Sequence, residues 1–432
     1  EGINYIMKIR IKQVLLIILI YFIKFISIFI KPRENYWIIS ERGKEARDNG
    51  YCFYNYMKRE HSEQKCYYLI TKDSPDINRI DRKDVLKYNT FKHYYYCVNA
   101  CCIISTHTYL FFPHCFYRLY KLLDLKPKII FLQHGIIKDL IPFYFKKNNN
   151  VDLFITSAIP EYKYVLNEFG FSDDVVKCTG LARYDNLKNV KTKDMILLMP
   201  TWRQNYVSFT ENEFLMTDFY NEWNNLLKKI SDYDNKNYEI IFYLHYEFQK
   251  FSHLFKGYSN NIKIAKLNNY DVQTLLKETK LLITDFSSVY FDIAYMDKPV
   301  IYFQFDEIDF FKNNYNKGYF DYYKNGFGKV THNSQETLEQ LQFYIRNNFN
   351  REEIFTERKC RFFKYSDCLN SQRIYKEIIK KLKAKEQELE IRFCTKRKTA
   401  KEMLNENIPI ETIMKITKLT KEELLEIKNN NK

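Results

Sequence analysis

The sequence has 432 residues, which is enough for two domains, and its 46% hydrophobic content permits a large core and excludes a globally disordered chain. Only 10 glycines are present, which excludes collagen-like and glycine-rich repeat architectures. The net charge of +15 fits nucleic acid, a membrane surface or another polyanion as a partner, so its location along the chain matters.

An apolar run at 14–30, interrupted by Lys24 and Ser27, lies near the start of the chain. It is slightly shorter than the roughly 20 residues that span a bilayer, and no small-residue cleavage site follows it. Residues 1–33 hold six Lys and Arg against one acidic residue. We therefore predict that 1–33 is a membrane-associating segment whose helix lies in the interface on anionic lipid. The alternatives are a buried core helix and a spanning anchor.

Short apolar runs then alternate with helical patterns. The runs are continuous rather than alternating in polarity, as in parallel strands covered on both faces. Ten strands are predicted in two series, at 36–40, 66–71, 101–105, 128–133 and 153–157, and at 195–199, 238–244, 262–264, 281–284 and 300–303. Two α/β units in tandem are expected, with a boundary near 180–194 and a ligand site at the carboxyl ends of the strands, in the cleft between the units.

Residues 386–432 are predicted to form a separate helical tail. Helical patterns occupy 381–392, 399–405, 410–417 and 421–428, and the last three have helix-turn-helix character. The small excess of positive charge in the tail supports DNA binding only weakly. We favour a packing or protein-contact module and expect no nucleic acid partner.

No metal or cofactor is expected. The 10 cysteines form no C-x-x-C pair, and no histidine completes a zinc site, which indicates reduced cytosolic thiols. The one D-x-D, at 232–234, precedes a predicted strand instead of following one. A site for metal-dependent glycosyl transfer therefore has little support.

The strongest constellation of polar residues follows the predicted strand that ends at Thr284. Asp285 leads to Ser287 and Ser288, and a helix is predicted to run from this point to Met296. Hydroxyls and backbone amides at a helix N-terminus bind phosphate. Simple capping of the helix by serine explains the pattern equally well.

One histidine ends a predicted strand in each unit. His134 follows 128–133 and precedes Gly135, whose missing side chain permits close approach of a ligand. His245 follows 238–244. A neutral imidazole in such a position can act as a general base. Each histidine taken alone is better explained as structural, unless the two face each other across the cleft.

Two further strand-end loops carry polar groups. The segment 199–203, M-P-T-W-R, supplies the Thr201 hydroxyl and the Arg203 guanidinium, which suits phosphate, with an ordinary surface cation as the alternative. The segment 40–43, S-E-R-G, is followed by D-N-G at 48–50 in the first strand-to-helix loop. Such loops often line a site, although a solvated loop explains this one as well.

Together these segments resemble the CDP-glycerol glycerophosphotransferase family, the teichoic acid and capsule poly(polyol-phosphate) polymerases, over roughly 36–380. The block L-I-T-D-F-S-S-V-Y-F-D-I-A-Y-M-D-K-P is similar to the family's T-D-Y-S-S-x-x-F-D followed by D-K-P. Further similar segments are S-E-R-G-K-E-A-R-D-N-G at 40–50, Q-H-G at 133–135, G-L-A-R-Y-D at 180–185, P-T-W-R at 200–203 and L-H-Y-E at 244–247. Two departures bear on specificity: the family's W-H-G-T-P-L-K is here Q-H-G-I-I-K, and the Pro of its second His motif is Tyr246.

The resemblance implies an α/β fold of the GT-B type, with two Rossmann-like units facing a cleft. The implied domains are an N-terminal acceptor domain at 34–185 and a C-terminal CDP-donor domain at 186–385, flanked by the membrane-associating segment 1–33 and the helical tail 386–432.

The resemblance also implies the reaction. A hydroxyl of a lipid-linked polyanionic acceptor attacks the polyol-linked phosphorus of CDP-glycerol or CDP-ribitol, and CMP leaves. His134 is then the general base, and His245 stabilises the transferred or leaving phosphate. Donor phosphates are expected on Thr201, Arg203, Thr284, Asp285, Ser287 and Ser288, and the acceptor side on Glu41, Arg42, Gly135 and Lys138.

The predicted function is therefore transfer of a polyol-phosphate, glycerol phosphate in the first place, to a teichoic acid or capsule acceptor at the cytoplasmic face of a bacterial membrane, with a peripheral or single-anchor attachment. The membrane and the phosphate polymer then explain the positive charge. One alternative is a GT-B glycosyltransferase that uses a CMP-sugar such as CMP-sialic acid. The other is a non-catalytic membrane scaffold. Assembly into a homo-oligomer is left open.

Overall fold

The computed structural model of the protein describes residues 2–30, 35–108, 111–112, 117–123, 125, 127–149, 151–188, 190–233, 237–267, 269–406 and 408–429. The chain forms two compact units, the first ending at Ile374 and the second beginning at Tyr375. The first unit contains both sheets, and the second is helical.

Seven parallel strands form the first sheet, in the order β3-β2-β1-β4-β5-β6-β7. Their bounds are β1 Tyr36–Ser40, β2 Lys65–Ile70, β3 Val85–Lys87, β4 Cys102–Ser105, β5 Lys128–Phe131, β6 Leu153–Thr156 and β7 Val176–Cys178. The strand order reverses between β1 and β4, which are neighbours in the sheet. Ligands of doubly wound sheets bind at such a reversal point.

Six parallel strands form the second sheet, in the order β10-β9-β8-β11-β12-β13. Their bounds are β8 Met195–Met199, β9 Glu239–Tyr243, β10 Ile262–Ala265, β11 Leu281–Thr284, β12 Val300–Phe303 and β13 Gly328–Thr331. Here the order reverses between β8 and β11. The ten predicted strands are confirmed, whereas β3, β7 and β13 were missed because these short edge strands mix polar and apolar residues.

The helices cover the faces of the sheets and form the tail. They are α1 Gly2–Phe29, α2 Asn49–Glu60, α3 Phe91–Asn99, α4 Tyr117–Leu123, α5 Ile159–Phe169, α6 Glu211–Leu215, α7 Asp218–Asp232, α8 Val272–Glu278, α9 Tyr290–Tyr295, α10 Glu307–Asn313, α11 Tyr322–Asn325, α12 Ser334–Arg346, α13 Glu353–Phe362, α14 Asn370–Asn405, α15 Ile410–Thr417 and α16 Lys421–Asn429. The break predicted between 392 and 399 is wrong, since α14 is continuous and contains no Gly or Pro that would interrupt it. The predicted domain boundaries stay predictions.

The hydrophobic core continues across the two sheets. Ile196 and Leu198 of β8 face one core, and Leu197 between them faces another, as expected for a strand covered on both faces. The core around Leu197 also contains Ile136 and Leu181, which belong to the part of the chain that carries the first sheet. The loops of the first sheet are therefore packed against the second sheet.

Helix α1 lies against the first sheet's helices. Among the side chains described in this helix, at 10–29, Leu16, Ile20 and Ile23 are buried in the core of that sheet. Most of the other large apolar side chains at 10–29 are exposed: Ile11, Val14, Leu15, Ile18, Tyr21, Phe22, Phe25, Ile28 and Phe29. The segment Arg10–Phe29 is long and apolar enough to span a membrane by length and composition. The basic flank at 31–33 lies outside the described residues.

Candidate active site

Loops that follow the central strands meet at the carboxyl edge of each sheet. In the first sheet, Ser40, Ser105 and Phe131 are neighbours at the ends of β1, β4 and β5. In the second sheet, Met199 and Thr284 are neighbours at the ends of β8 and β11. Because all these strands are parallel, the residues that follow these positions are the ones that can lie close together.

His134 lies in the loop after β5, where the backbone turns sharply. The preceding Gln133 has a φ of 62°, in the left-handed region, and its buried amide donates to Glu161 at 3.1 Å. The turn leaves 52% of the His134 side chain exposed. Its Nδ1 lies 2.6 Å from a carboxylate oxygen of Asp48. The other ring nitrogen, Nε2, is then available to a substrate.

Asp48 is a carboxylate held between two cationic groups. Its second oxygen accepts from Nη1 of Arg183 at 2.9 Å. Burial by itself raises the pKa of Asp48, but the charges of His134 and Arg183 outweigh burial and bring that pKa down to about 2. An ionised Asp48 accepts a hydrogen bond from Nδ1–H of His134, which assigns the neutral imidazole its Nδ1–H tautomer.

Arg183 joins this pair to the second sheet. Its guanidinium binds both carboxylate oxygens of Asp292 in α9, at 2.8 and 2.9 Å, while Nη1 donates to Asp48 and to the backbone carbonyl of His134. Burial lowers the pKa of Arg183, but Asp292 and Asp48 raise it well above its usual value. One buried arginine therefore connects the loop of His134 with the helix that follows Ser287 and Ser288.

Glu41 shapes the loop that carries Asp48. Its side chain is buried, and its oxygens accept from the backbone amides of Arg47, Asp48 and Tyr51 at 3.0, 3.0 and 2.8 Å. The carboxylate therefore faces the start of α2 and not open space. The expectation that Glu41 contacts an acceptor has no support in this placement.

Lys138 is also turned away from the cleft. It is 5% exposed, it forms an ion pair with Asp139, and it lies over the ring of Tyr322. Its burial and its partners leave the expected acceptor contact of Lys138 without support. Ile136 and Ile137, which stand where the family pattern has Thr and Pro, are buried in the cores of the second and first sheet, respectively.

Gly135 brings the His134 loop next to the serine loop of the second sheet. A Cβ at this position would lie 3.5 Å from Oγ of Ser288 and 3.7 Å from Nη2 of Arg183. Both are ordinary contact distances, so no steric reason requires glycine here. The short distance from Gly135 to Ser288 shows that the loops of His134 and Ser288, which belong to different sheets, meet at one site.

The two serines lie in the turn that directly precedes a short helix, as predicted. Helix α9 starts at Tyr290 and has 6 residues, while Ser287 and Ser288 lie in the turn before it. Their carbonyls accept from Tyr290 and Phe291 at 3.5 and 3.1 Å. Both side chains are half-buried, and neither hydroxyl has a hydrogen-bond partner among the described residues. The hydroxyls therefore remain available at the start of this helix, which was predicted to end at Met296 and ends at Tyr295.

Three predicted donor residues are occupied by partners within the chain. Arg203 is buried between Asp285, at 2.9 Å, and Asp306, at 2.7 Å. Asp285 also accepts from the backbone amide of Thr201 at 2.7 Å, and the Thr284 hydroxyl donates to the carbonyl of Met199 at 2.6 Å. Arg203, Asp285 and Thr284 thus hold the ends of β8 and β11 together. The Thr201 hydroxyl, in contrast, is buried without a partner among the described residues.

His245 lies at the end of β9, beside the loop that follows β8. Its ring stacks on Trp202, with ring centres 5.8 Å apart and an angle of 16°, and contacts the ring of Tyr246 at 4.3 Å. Burial first, and then the charges of Arg42 and His134, lower the pKa of His245 to about 4. The imidazole is therefore neutral at physiological pH. The contribution of His134 to this lowered pKa indicates that the two histidines lie near one another.

Four residues that received no site assignment from the sequence belong to this arrangement: Asp48, His107, Arg183 and Asp292. The ring of His107 lies 5.6 Å from that of His134, and its Nε2 accepts from Nε of Arg42 at 3.1 Å. A signal for His107 was present, because S-T-H directly follows the predicted strand 101–105. Asp292 also had a signal, because it is the last residue of T-D-F-S-S-V-Y-F-D at 284–292, the block that resembles the family's T-D-Y-S-S-x-x-F-D.

No group of three or more His, Cys, Asp or Glu among the described residues could hold a metal ion. The D-x-D at 232–234 falls partly outside them, because Asp234 is not described. Six of the described cysteines have free thiols: Cys52, Cys66, Cys97, Cys178, Cys360 and Cys368. Cys115 and the side chain of Cys394 lie outside the described part of the chain.

The chain resembles teichoic acid enzymes in sequence and structure. It is 32% identical over 364 residues to the "Minor teichoic acid biosynthesis protein GgaB" of Bacillus subtilis (strain 168), covering 80% of this chain and 40% of that protein. It is 22% identical to the "Teichoic acid poly(glycerol phosphate) polymerase" of the same strain, covering 70% and 43%. The chain therefore spans about two fifths of the length of these relatives.

A solved structure shares the fold. The "Wall Teichoic Acid Polymerase TagF" matches with a TM-score of 0.61 and 19% identity, covering 82% of this chain and 90% of that one. A TagF variant soaked with CDPG gives the same TM-score of 0.61. The predicted GT-B fold is confirmed: two Rossmann-like parallel sheets face a cleft, with an N-terminal apolar helix and C-terminal helices.

A family model supplies the remaining finding. The model for the CDP-glycerol:poly(glycerophosphate) glycerophosphotransferases matches residues 19–380, most of the chain. This range includes the strand-end loops that carry His134, His245 and the serine pair. The chain belongs to the CDP-glycerol:poly(glycerophosphate) glycerophosphotransferase family.

Proposed function

We propose that the protein transfers glycerol phosphate from CDP-glycerol to a hydroxyl of a lipid-linked teichoic acid or capsule acceptor and releases CMP. The observation that carries this proposal is the Asp48–His134 pair, whose Nδ1···Oδ2 distance is 2.6 Å, facing a cleft beside Ser288 of the second sheet. A base on one sheet and phosphate-binding groups on the other suit a reaction between an acceptor alcohol and a nucleotide-linked phosphate.

His134 acts as the general base in this proposal. Nδ1–H donates to Asp48, and Nε2 takes the proton of the acceptor hydroxyl. The acceptor oxygen forms a new bond to the polyol-linked phosphorus, and the bond from that phosphorus to the CMP oxygen breaks. Asp48 stabilises the imidazolium that forms, as a carboxylate does in other acid–base pairs with histidine.

The donor phosphates bind on the second sheet. The hydroxyls of Ser287, Ser288 and Thr201 are the groups we assign to them, because none has a partner among the described residues. Arg203 and Asp285 act as positioning residues, since their ion pair holds the loop of Thr201 in place. His245 is neutral and can donate a hydrogen bond to a phosphate oxygen while staying stacked on Trp202.

Glycerol is proposed before ribitol because the family's description names glycerophosphate and a poly(glycerol phosphate) polymerase is among the relatives. Ribitol-phosphate polymerases are also similar, at 24% identity over 262 residues for the one from Bacillus spizizenii. Membership of this family disfavours both the CMP-sugar alternative and the non-catalytic scaffold.

We expect CMP release and growth of a lipid-linked teichoic acid primer when the purified chain receives CDP-glycerol. The measurement is mass spectrometry of the product in parallel reactions with CDP-glycerol, CDP-ribitol and CMP-sialic acid. A product heavier by ribitol phosphate would show that CDP-ribitol, instead of CDP-glycerol, is the donor. Turnover of CMP-sialic acid alone would refute phosphate transfer altogether.

We also infer that α1 attaches the protein to the cytoplasmic membrane surface by lying in the lipid interface. Besides its three buried side chains, α1 is tied to α4 by hydrogen bonds from Tyr21 to the carbonyl of Leu122 and from Lys24 to that of Leu123, both 3.0 Å long. A helix docked on its domain along one side can insert its exposed apolar face without crossing the bilayer.

The double variant Phe22→Ser, Phe25→Ser is expected to bind anionic vesicles at least about tenfold more weakly, since each buried aromatic side chain contributes about 1.5–3 kcal/mol. Co-sedimentation with vesicles of phosphatidylglycerol and phosphatidylcholine measures this. Ile308→Ser is the matched control, because Ile308 is an apolar residue of α10 that is also exposed, to 85%. Equal binding by the double variant and the control would refute the attachment through α1.

A further inference from the structure

Arg42 lies at the carboxyl edge of the first sheet, the edge that also carries His134. It follows β1, whereas His107 follows β4 and His134 follows β5, and these three strands are neighbours. Nε of Arg42 donates to Nε2 of His107 at 3.1 Å, and the ring of His107 lies 5.6 Å from that of His134. A chain of contacts thus connects the exposed guanidinium of Arg42 to the proposed base.

His107 holds Arg42 without cancelling its charge. Its Nδ1 lies 2.9 Å from the hydroxyl of Thr106, so Nδ1 carries the proton and Nε2 is the acceptor. Burial first, and then the charges of His134 and Arg42, lower the pKa of His107 to about 3. A neutral imidazole fixes one edge of the guanidinium and leaves a full positive charge on it.

No carboxylate among the described residues forms an ion pair with Arg42. The two buried arginines of the site, Arg183 and Arg203, differ in this respect, because each binds two carboxylates. Beyond the bond from Nε, the described residues offer the guanidinium of Arg42 no hydrogen-bond acceptor. Its terminal nitrogens form the fork that recognises two oxygens of one phosphate.

The guanidinium also reaches the second sheet. Cζ of Arg42 lies 5.9 Å from the ring centre of Tyr246, and that ring contacts His245 at 4.3 Å. Tyr246 replaces the proline of the family pattern and is 50% exposed. A face of Tyr attracts a cation without neutralising it. Arg42 is therefore steadied from both sides of the cleft, by His107 on one sheet and by Tyr246 on the other.

We propose that Arg42, held by His107 and Tyr246, is an anion subsite that binds a phosphate group between His134 and His245. This inference rests on the proposed function for the identity of its ligand. Two phosphates fit the same chemistry, the one that the donor transfers and a phosphodiester of the acceptor chain. Arg42 touches this substrate phosphate, whereas His107 is a positioning residue that acts through Arg42.

Arg42→Gln is expected to raise one KM about 10- to 100-fold with a smaller change in kcat, because a hydrogen bond to a charged group contributes about 1.5–3 kcal/mol. A higher KM for CDP-glycerol assigns the subsite to the donor. A higher KM for a phosphodiester-bearing acceptor, with no change for a phosphate-free acceptor, assigns it to the acceptor chain. Unchanged KM values for all three substrates overturn the proposal.

Lys44→Gln is the matched control for loss of one positive charge. Lys44 lies in the same loop, with its ammonium exposed and paired with Asp73 at 3.4 Å. It should leave each KM within about twofold of the original, since exposed ion pairs contribute little. If Lys44→Gln raised the KM as much as Arg42→Gln does, loss of any nearby positive charge would explain the effect. That result would overturn the subsite.

His107 is tested by a pair of variants. His107→Phe removes the acceptor for Nε of Arg42 and should raise the same KM as Arg42→Gln, by a smaller factor. His107→Gln supplies a side-chain carbonyl in place of Nε2. Its KM should therefore lie between that of the original protein and that of His107→Phe. If His107→Phe raises neither KM, or if it lowers kcat alone, His107 does not position Arg42.

Binding of inorganic pyrophosphate separates this inference from the proposed function. Calorimetry on the full chain should show about tenfold weaker binding by Arg42→Gln than by Lys44→Gln. If the unmodified chain turns over none of the tested donors, the proposed function fails, while weaker pyrophosphate binding by Arg42→Gln would still support the subsite. Equal binding by the two variants would overturn the subsite whatever the activity.

Discussion

Replacing His134 with glutamine is expected to lower kcat for polyol-phosphate transfer by about 10²–10⁴, the range that general acid–base catalysis usually contributes. The amide of glutamine can still donate to Asp48, but it has no nitrogen that can take a proton from the acceptor hydroxyl. KM for CDP-glycerol should change little, because the donor groups that we assign lie on the second sheet.

The measurement is steady-state CMP release with donor and acceptor varied in turn. His253→Gln is the matched control: its side chain is 54% exposed, close to the 52% of His134, and it pairs with Glu211 outside the arrangement described here. The control should keep the original kcat. A His134→Gln variant with the original kcat would show that another group takes the proton.

Replacing Asp48 with asparagine is expected to lower kcat by about 10²–10⁴, because the same change behind a catalytic histidine in other enzymes costs up to about 10⁴. The amide can donate to Nδ1 of His134, which moves the ring proton to Nε2, the nitrogen that must act as the base. It also removes the charge that stabilises the imidazolium and leaves Arg183 with Asp292 as its one full counter-charge.

The pKa of Asp48 fixes the pH range in which this role operates. Its folded value of about 2 lies below the unfolded value of about 3.9. A carboxyl whose folded pKa is depressed stabilises the fold above the unfolded value, and this stabilisation is lost as the pH falls from about 4 towards 2. Assays near neutral pH therefore compare a fully ionised Asp48 with a neutral amide.

A second buried carboxylate separates catalysis from stability. Asp84 binds Lys58 at 2.8 Å and Lys65 at 3.1 Å. Neither of these lysines belongs to the strand-end loops of the site. Asp84→Asn, like Asp48→Asn, should lower the thermal midpoint, because each removes a buried negative charge from its cations, the half-buried Lys58 and Lys65 in the first case and the buried Arg183 in the second. Only Asp48→Asn should lower kcat. Equal kcat values in the two variants would remove Asp48 from the mechanism.

The strands were readable from the sequence because parallel strands buried on both faces leave continuous apolar runs. Ile38 and Ile39 in β1, and Leu281 to Ile283 in β11, are such runs and are fully buried. The serine turn after β11 was also readable, since it lies at a strand end. The helix after that turn was readable as well, because it was predicted to end at Met296 and α9 ends at Tyr295.

Residue type alone does not reveal which side chains of the site are bound by other groups of the protein and which remain available to a substrate. Arg203 and Arg42 are both arginines in strand-end loops. Arg203 is enclosed by Asp285 and Asp306, which lie 82 and 103 residues away in the chain, whereas Arg42 is paired with a neutral histidine 65 residues away. A pattern shows which groups can bind phosphate, but only their neighbours in space decide whether that capacity is already used.

The sequence by itself determined that the chain forms two parallel sheets with helices and that His134 and His245 lie at strand ends, while the roles of these histidines stay predictions. It also located part of the positive charge beside an apolar N-terminal helix. The tertiary structure decided which of these groups meet, because the pairs Asp48–His134 and Arg183–Asp292 join residues 86 and 109 positions apart. Local patterns record strand and helix periodicity, while such distant pairs arise only when the two sheets pack on a common core.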